Sequence, residues 1–205
     1  MFAGPDNTSW GHRSSFVPTT WNPADKAASI TLSNGDLTAE FTAGDTSHRA
    51  ILGIDVTTVA AAYMEFTPDT TEGIASGRFG IALSTAPLTG SNHVDNAASW
   101  VFTMDSGYIT NTSSAAYGSA LTLGEVGMMA ISDGKVWWGK EGTWFDSGDP
   151  ETGDNPAFSG LTGVVYPYNY HGGGPSNAIV TANFGQNPFE FTPPAGFLPG
   201  WGAVE

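Results

Sequence analysis

Apolar positions recur in short runs, each closed by a turn signal. Strict alternation places Ile30 with Leu32, Leu37 with Ala39 and Phe41, Phe79 with Ile81 and Leu83, and Trp100 with Phe102 and Met104. Such period-two spacing puts each set on one side of an extended segment. Denser runs cover Tyr63 to Phe66, Val126 to Ile131, Val136 to Trp138, Val164 to Tyr166 and Ile179 to Phe184. Between the runs stand Asn34-Gly35-Asp36, Ala43-Gly44-Asp45, Ser76-Gly77, Ser106-Gly107, Asp133-Gly134, Glu141-Gly142 and Gly172-Gly173-Gly174. Short strands at this spacing, rich in β-branched and aromatic residues, predict an all-β antiparallel sandwich or barrel. Helix signals are nearly missing. Asp55 to Ala62 is the best helical candidate, but its β-branched residues lose rotamer freedom in a helix, so it reads as strand or irregular.

Asp133-Gly134 supplies the positive φ of a tight hairpin and joins Gly127 to Ile131 with Lys135 to Lys140. The second strand then ends at Glu141-Gly142, before Thr143-Trp144-Phe145. Trp137 and Trp138 are adjacent and point to opposite faces, one into the core and the other onto a sheet face or under a loop. Tyr166, Tyr168 and Tyr170 share one side if extended. Their rings combine an apolar face with a polar tip, so together with His171 they form a candidate ligand platform, against a packing role at a sandwich edge.

Composition narrows the function classes. The chain has 205 residues, six Lys and Arg, 20 Asp and Glu, a net charge of −14 and no Cys. This length fits one large domain. Six scattered cations cannot make the basic face that nucleic acid requires. Disulfides and Cys-based zinc sites are excluded. No apolar run is long enough to cross a bilayer, and Met1-Phe2-Ala3-Gly4-Pro5-Asp6 lacks the pattern of a secretory signal, so synthesis in a cytoplasm is expected. Residues 1–18 lack sustained alternation and read as a docking arm whose Trp10 and Phe16 pack on a partner; residues 19–205 form the sandwich.

The segment 146–156 is polar and acidic. Its Asp146, Asp149, Glu151 and Asp154 could gather oxygen ligands for calcium, but the spacing does not match an EF-hand loop, Pro150 breaks a regular ligand turn, and a solvated turn is the plainer reading. His12, His48, His93 and His171 stand far apart and read as surface residues, with His48 at a strand start. No Gly-x-Ser-x-Gly elbow occurs. A glycosidase pair would have to be built from Glu65 with Glu40 or Asp105 on other strands, and no acidic cluster marks such a cleft. No catalytic residue and no cofactor are therefore expected. Beyond Lys140 there is no further cation, while Glu141, Asp146, Asp149, Glu151, Asp154, Glu190 and Glu205 give this third a negative potential.

The order of motifs resembles the SPRY (B30.2) family. It opens with Trp21-Asn22-Pro23-Ala24-Asp25-Lys26 and Ile30-Thr31-Leu32-Ser33-Asn34-Gly35, followed by Tyr63-Met64-Glu65-Phe66 and Gly80-Ile81-Ala82. Trp100 to Tyr108, Gly124 to Ala130 and Val136 to Gly142 are similar to its central strands, with Glu125 for the usual Asp and Glu141 for the usual Asn. Val165-Tyr166-Pro167, Asn183-Phe184-Gly185-Gln186-Asn187-Pro188-Phe189 and Pro193 to Phe197 resemble its closing elements. The likeness runs from about Thr19 to Trp201. It implies two antiparallel sheets in a concanavalin-like jelly roll, function in the rim loops, and a framework role for Glu65. The Trp-Asn-Pro-Ala-Asp opening and the loop Gly148 to Pro156 resemble bacterial and phage members. That implies a non-enzymatic virion structural protein on capsid or tail, with other virion proteins as partners. The alternatives are a module for a host-surface receptor or glycan, and an intracellular peptide-binding adaptor.

Overall fold

The structure is a computed structural model that describes residues 16–58, 61–90, 97–173 and 177–204. Trp10, His12 and His93 lie outside the described residues. The first third holds β1 (Phe16–Pro18), β2 (Trp21–Lys26), β3 (Ile30–Ser33), β4 (Thr38–Phe41), β5 (Thr46–Ala50) and β6 (Ile54–Asp55). Next come β7 (Ala62–Pro68), a single-turn helix α1 (Thr71–Ile74), β8 (Gly77–Ala82), β9 (Ser99–Thr103), β10 (Tyr108–Thr110) and β11 (Ser114–Ala116). The last third holds β12 (Gly127–Ser132), β13 (Lys135–Lys140), β14 (Thr143–Trp144), β15 (Val164–His171), β16 (Ala178–Asn183) and β17 (Gly202–Val204).

Two large antiparallel sheets result. One runs β11-β10-β9-β8-β15-β5-β2, with β6 also paired to β15; the other runs β14-β13-β12-β7-β16-β4-β3. The expected sandwich is what forms. Each run read as alternating or solidly apolar coincides with a strand of these sheets. The inward side chains meet in one core, where Phe66 of one sheet stacks on Phe79 of the other at 4.1 Å. Trp21, Trp138, Phe184 and Trp201 are fully buried in the same cluster. Two of these indoles meet a carbonyl: Trp21 Nε1 donates to Leu37 and Trp201 Nε1 to Leu52, both at 3.0 Å. Pairing the N–H removes most of the cost of burying it.

The β12–β13 hairpin follows its turn chemistry. Ser132 pairs with Lys135, and Asp133 and Gly134 between them have φ of 49° and 68°. A Cβ at Gly134 would lie 2.8 Å from the Leu161 carbonyl oxygen, besides occupying left-handed backbone. Gly134→Ala is therefore expected to cost about 1–2 kcal/mol, read as a lower urea midpoint; an unchanged midpoint would contradict this account of the turn. The next turn keeps its shape despite its glutamate. Glu141 and Gly142 have φ of 48° and 75°, and the Glu141 carboxylate accepts from the Val126 N–H at 2.7 Å.

Trp137 and Trp138 do face opposite ways, and both are buried. Trp138 enters the main core, whereas Trp137 joins Tyr63, Met128 and Ala130 on the outer face of its sheet. That face is roofed by Phe189, Phe191 and Phe197 from the C-terminal segment, with Trp144 beside them. At one end of the sandwich β1 pairs with β17, from Phe16 opposite Val204 to Pro18 opposite Gly202. Phe16 is half-buried and sits against Gly185 and Gly200, so the last three residues of the expected arm are joined to the body.

Candidate binding surface

The tyrosine run lies on β15, between β8 and β5 near the middle of its sheet. The alternation holds, since Tyr168 and Tyr170 share a cluster with Ala82, Ala86 and Val101. The platform does not. Tyr168 is fully buried and Tyr170 is 3% exposed, because residues 83–90 lie over this face. They are fastened there by long-range contacts: Arg49 donates to the Ala86 carbonyl, Ser47 N–H to the Leu88 carbonyl at 3.0 Å, and Gly90 N–H to the Asp45 carbonyl at 3.1 Å. Arg49 also forms a two-pronged ion pair with Asp25 at 2.7 and 2.9 Å. The Tyr170 hydroxyl donates to Asp45 at 2.9 Å, and Arg78 stands 5.1 Å above its ring. Burial first, and then Asp45, pushes that hydroxyl up to about 12. Tyr166 is half-buried and flanks Gly53.

The two described histidines are interior residues, contrary to the surface expectation. His48 is fully buried in the middle of β5, with its ring 4.3 Å from Trp21 and 5.4 Å from Phe41. Neither of its ring nitrogens has a hydrogen-bond partner, and the side-chain amide of Asn169, its cross-strand neighbour, has none either. His171 is 4% exposed and its Nε2 donates to the Glu72 carbonyl at 2.9 Å. Burial lowers the affinity of both imidazoles for a proton, to about 3 for His48, where Lys26 adds a smaller push.

The acidic loop is organised by its own backbone rather than around an ion. Asp149 accepts from the Glu151 and Thr152 N–H groups at 2.9 and 3.3 Å, and Asp154 from the Thr152 hydroxyl at 3.0 Å. Glu151 reaches the Ala195 N–H at 2.7 Å, and Asp146 stands apart at a positive φ of 53°. Among the described residues no group of three or more His, Cys, Asp or Glu is placed to hold a metal ion. Glu65 is buried beneath the C-terminal segment, where it accepts from the Tyr63 hydroxyl and from the Glu190 and Phe191 N–H groups. Its proposed companion Asp105 is bound to the Ser76 N–H at 3.0 Å, while Glu40 lies on β4.

Among the described residues, shallow recesses of about 190 Å³ occur at two places. One lies between the Asp133 hairpin and Glu151, and includes Lys135 and Trp137. The other lies on the second sheet, between Thr67, Thr181 and Asn183 on one side and Pro188 and Glu190 on the other. Every described cation is engaged: Lys26 with the Ile30 carbonyl, Arg49 with Asp25, Arg78 with the Tyr170 ring, Lys135 with the Gly153 carbonyl, and Lys140 with Glu125. A feature without an apolar signature is the far edge of the first sheet. There β11 is exposed along its whole length, within a stretch that carries no charge from Ser106 to Gly124. That gap in the charge pattern is the one sequence signal that marks it. No helix among the described residues is long and apolar enough to cross a membrane.

No family model and no curated protein matches the chain. Solved structures do. The SPRY domain of human HERC1 superimposes with a TM-score of 0.64 at 14% identity, over 82% of this chain and 99% of that one. The TRIM65 PSpry domain gives 0.59 at 12% identity, over 82% and 90%. Stonustoxin gives 0.60 at 15% identity over 82% of this chain, which corresponds to 27% of the toxin chain. At such identities the likeness is one of fold, and this chain has the antiparallel β-sandwich fold of SPRY domains.

Proposed function

We propose that the protein is a non-catalytic protein-binding module that serves as a structural component of a phage particle, displayed on its capsid or tail. The observation that carries this reading is the use made of the reactive side chains. The buried carboxylate Glu65 and the buried imidazoles His48 and His171 lie inside the framework. What faces solvent is turns, sheet edges and an acidic surface, which suit recognition of another protein. The SPRY-like neighbours agree with a binding role, and the phage-like loop from Gly148 to Pro156 favours the particle.

In this reading the segment before β1 anchors the sandwich, and the β1–β17 pair delivers it from a defined point. Deleting residues 2–15, so that β1 stays paired, is expected to leave the thermal unfolding midpoint within a few degrees of the parent. Co-sedimentation with particles of the encoding phage should be lost. A truncated chain that still occupies the particle fully would rule out the anchor, and failure of the intact chain to associate would rule out the virion role.

A further inference from the structure

A sheet edge exposes unpaired N–H and C=O groups, and proteins guard such edges with prolines, bulges, lysines or very short strands. Three of the four outermost strands of the large sheets are guarded in this way. β2 contains Pro23, ends in Asp25-Lys26, and shifts register between Trp21 and Lys26. β3 has its Ile30 carbonyl capped by the Lys26 ammonium at 2.6 Å. β14 has two residues and runs directly into a 3₁₀ turn. β11, Ser114–Ala116, is short as well, but it carries no proline, register shift or lysine: it is exposed throughout and uncharged.

The direction of its backbone groups follows from the ladder. Tyr117 N–H donates to the Gly107 carbonyl and Asn111 N–H to the Ser113 carbonyl. Hydrogen-bonded pairs alternate along an antiparallel ladder, so Ile109 and Ala115 form the bonded pair between those two. Ser114 and Ala116 are then the non-bonded positions, and both turn their N–H and C=O away from β10. Tyr108, 45% exposed, lies directly across from Ala116, and the Thr110 and Ser114 hydroxyls meet at 2.9 Å on the same face.

We infer that the free edge of β11 is a docking strand for an extended, uncharged segment of another polypeptide, which adds to the sheet beside Ser114 and Ala116 and packs against Tyr108. This rests on the protein-binding reading and names its surface. Two outward donor–acceptor pairs spaced two residues apart match extended main chain. No charge between Asp105 and Glu125 is available to pair with a charged side chain, and the acidity of the rest disfavours an acidic partner. A second copy is a poor occupant. Edge-to-edge pairing would bring together two chains of charge −14.

The test pans a displayed library of linear heptapeptides against the full chain. Selected peptides are then measured against the parent, Ala116→Pro and Ala116→Lys. Proline removes the outward N–H at 116 without touching the bonds to β10, and edge strands accept it there. Enriched peptides should be uncharged, with alternating β-branched residues. They should move the Ser114 and Ala116 amide resonances, and lose at least tenfold in affinity for both variants. Peptides that bind the variants as tightly as the parent, or that leave those two amides unmoved, overturn the docking strand. So does a library that yields no binder. Particle association in co-sedimentation is read separately: an Ala116→Pro chain that still associates with particles, alongside any of these negative results, removes the edge proposal and leaves the anchored-module reading standing.

Discussion

Replacing Glu65 with alanine is expected to cost about 3 kcal/mol or more of folding stability, since hydrogen bonds to a charged group are worth roughly 1.5–3 kcal/mol each. Three donors converge on this carboxylate: the Tyr63 hydroxyl at 2.9 Å, the Glu190 N–H at 3.0 Å and the Phe191 N–H at 2.9 Å. Alanine leaves all three without an acceptor in a site that is 4% exposed. It also unfastens the segment whose Phe189, Phe191 and Phe197 cover Tyr63, Met128 and Trp137. The loss should therefore be accompanied by a wetter Trp137 and by weaker near-ultraviolet dichroism. Glu65→Gln keeps the oxygen that accepts from Tyr63 and Phe191 but turns an amide toward the Glu190 N–H, so about half the loss is expected. Burial and the Glu65 charge both hold the Tyr63 proton far above its ordinary range, which keeps this hydroxyl a donor across the accessible pH scale. Urea denaturation decides the matter: an alanine variant as stable as the parent would refute the role assigned to Glu65.

Acid should destabilise the fold well before the carboxylates titrate. In the unfolded chain His48 takes up a proton near pH 6.5; in the folded chain burial, with Lys26 as a lesser cause, postpones this to about pH 3. Between those values the unfolded state holds the extra proton. Stability is then complete above pH 6.5 and declines as pH falls, by about 1.4 kcal/mol per pH unit for each such group. His171 is shifted in the same direction by burial and adds to the slope. Asp55 and Glu125, held below the ordinary carboxylate range mainly by hydrogen bonds from Thr57 and Lys140, contribute only at lower pH. The packing around His48 leaves little room for an alternative: Trp21 and Phe41 flank the ring, and the unpaired Asn169 amide lies opposite. His48→Phe should flatten the slope between pH 6.5 and 4. Parent stability that does not change over that interval would disprove the linkage.

The strands with alternating apolar residues were readable because one side of each must enter the core. β5 was not. Its Thr46-Ser47-His48-Arg49-Ala50 is largely polar yet buried at every position. Burial there depends on distant partners, Asp25 and the Pro87 carbonyl, and these leave no local pattern. The tyrosine run shows the same limit from the other side. Its alternation was plain, but its covering segment, residues 83–90, is held by backbone carbonyls that any residue can supply. Glu65 was assigned to the framework by resemblance alone, since two of its three donors are main-chain N–H groups of residues far along the chain. β11 carries no apolar stripe. Its only trace is the missing charge between Asp105 and Glu125, which gains meaning once the ladder shows which backbone groups are unpaired.

The β1–β17 pair sets where the polypeptide enters and leaves the sandwich. Phe16 and Val204 are direct cross-strand neighbours, so the two points are about 5 Å apart, the spacing of paired strands. A unit with that geometry can be spliced into a surface turn of an unrelated protein without prying its host open. Extensions at either end start from the same spot, and a label fused after Val204 would crowd whatever Phe16 leads to. Cargo intended to stay clear of that neighbourhood belongs in a turn at the opposite end of the sheets.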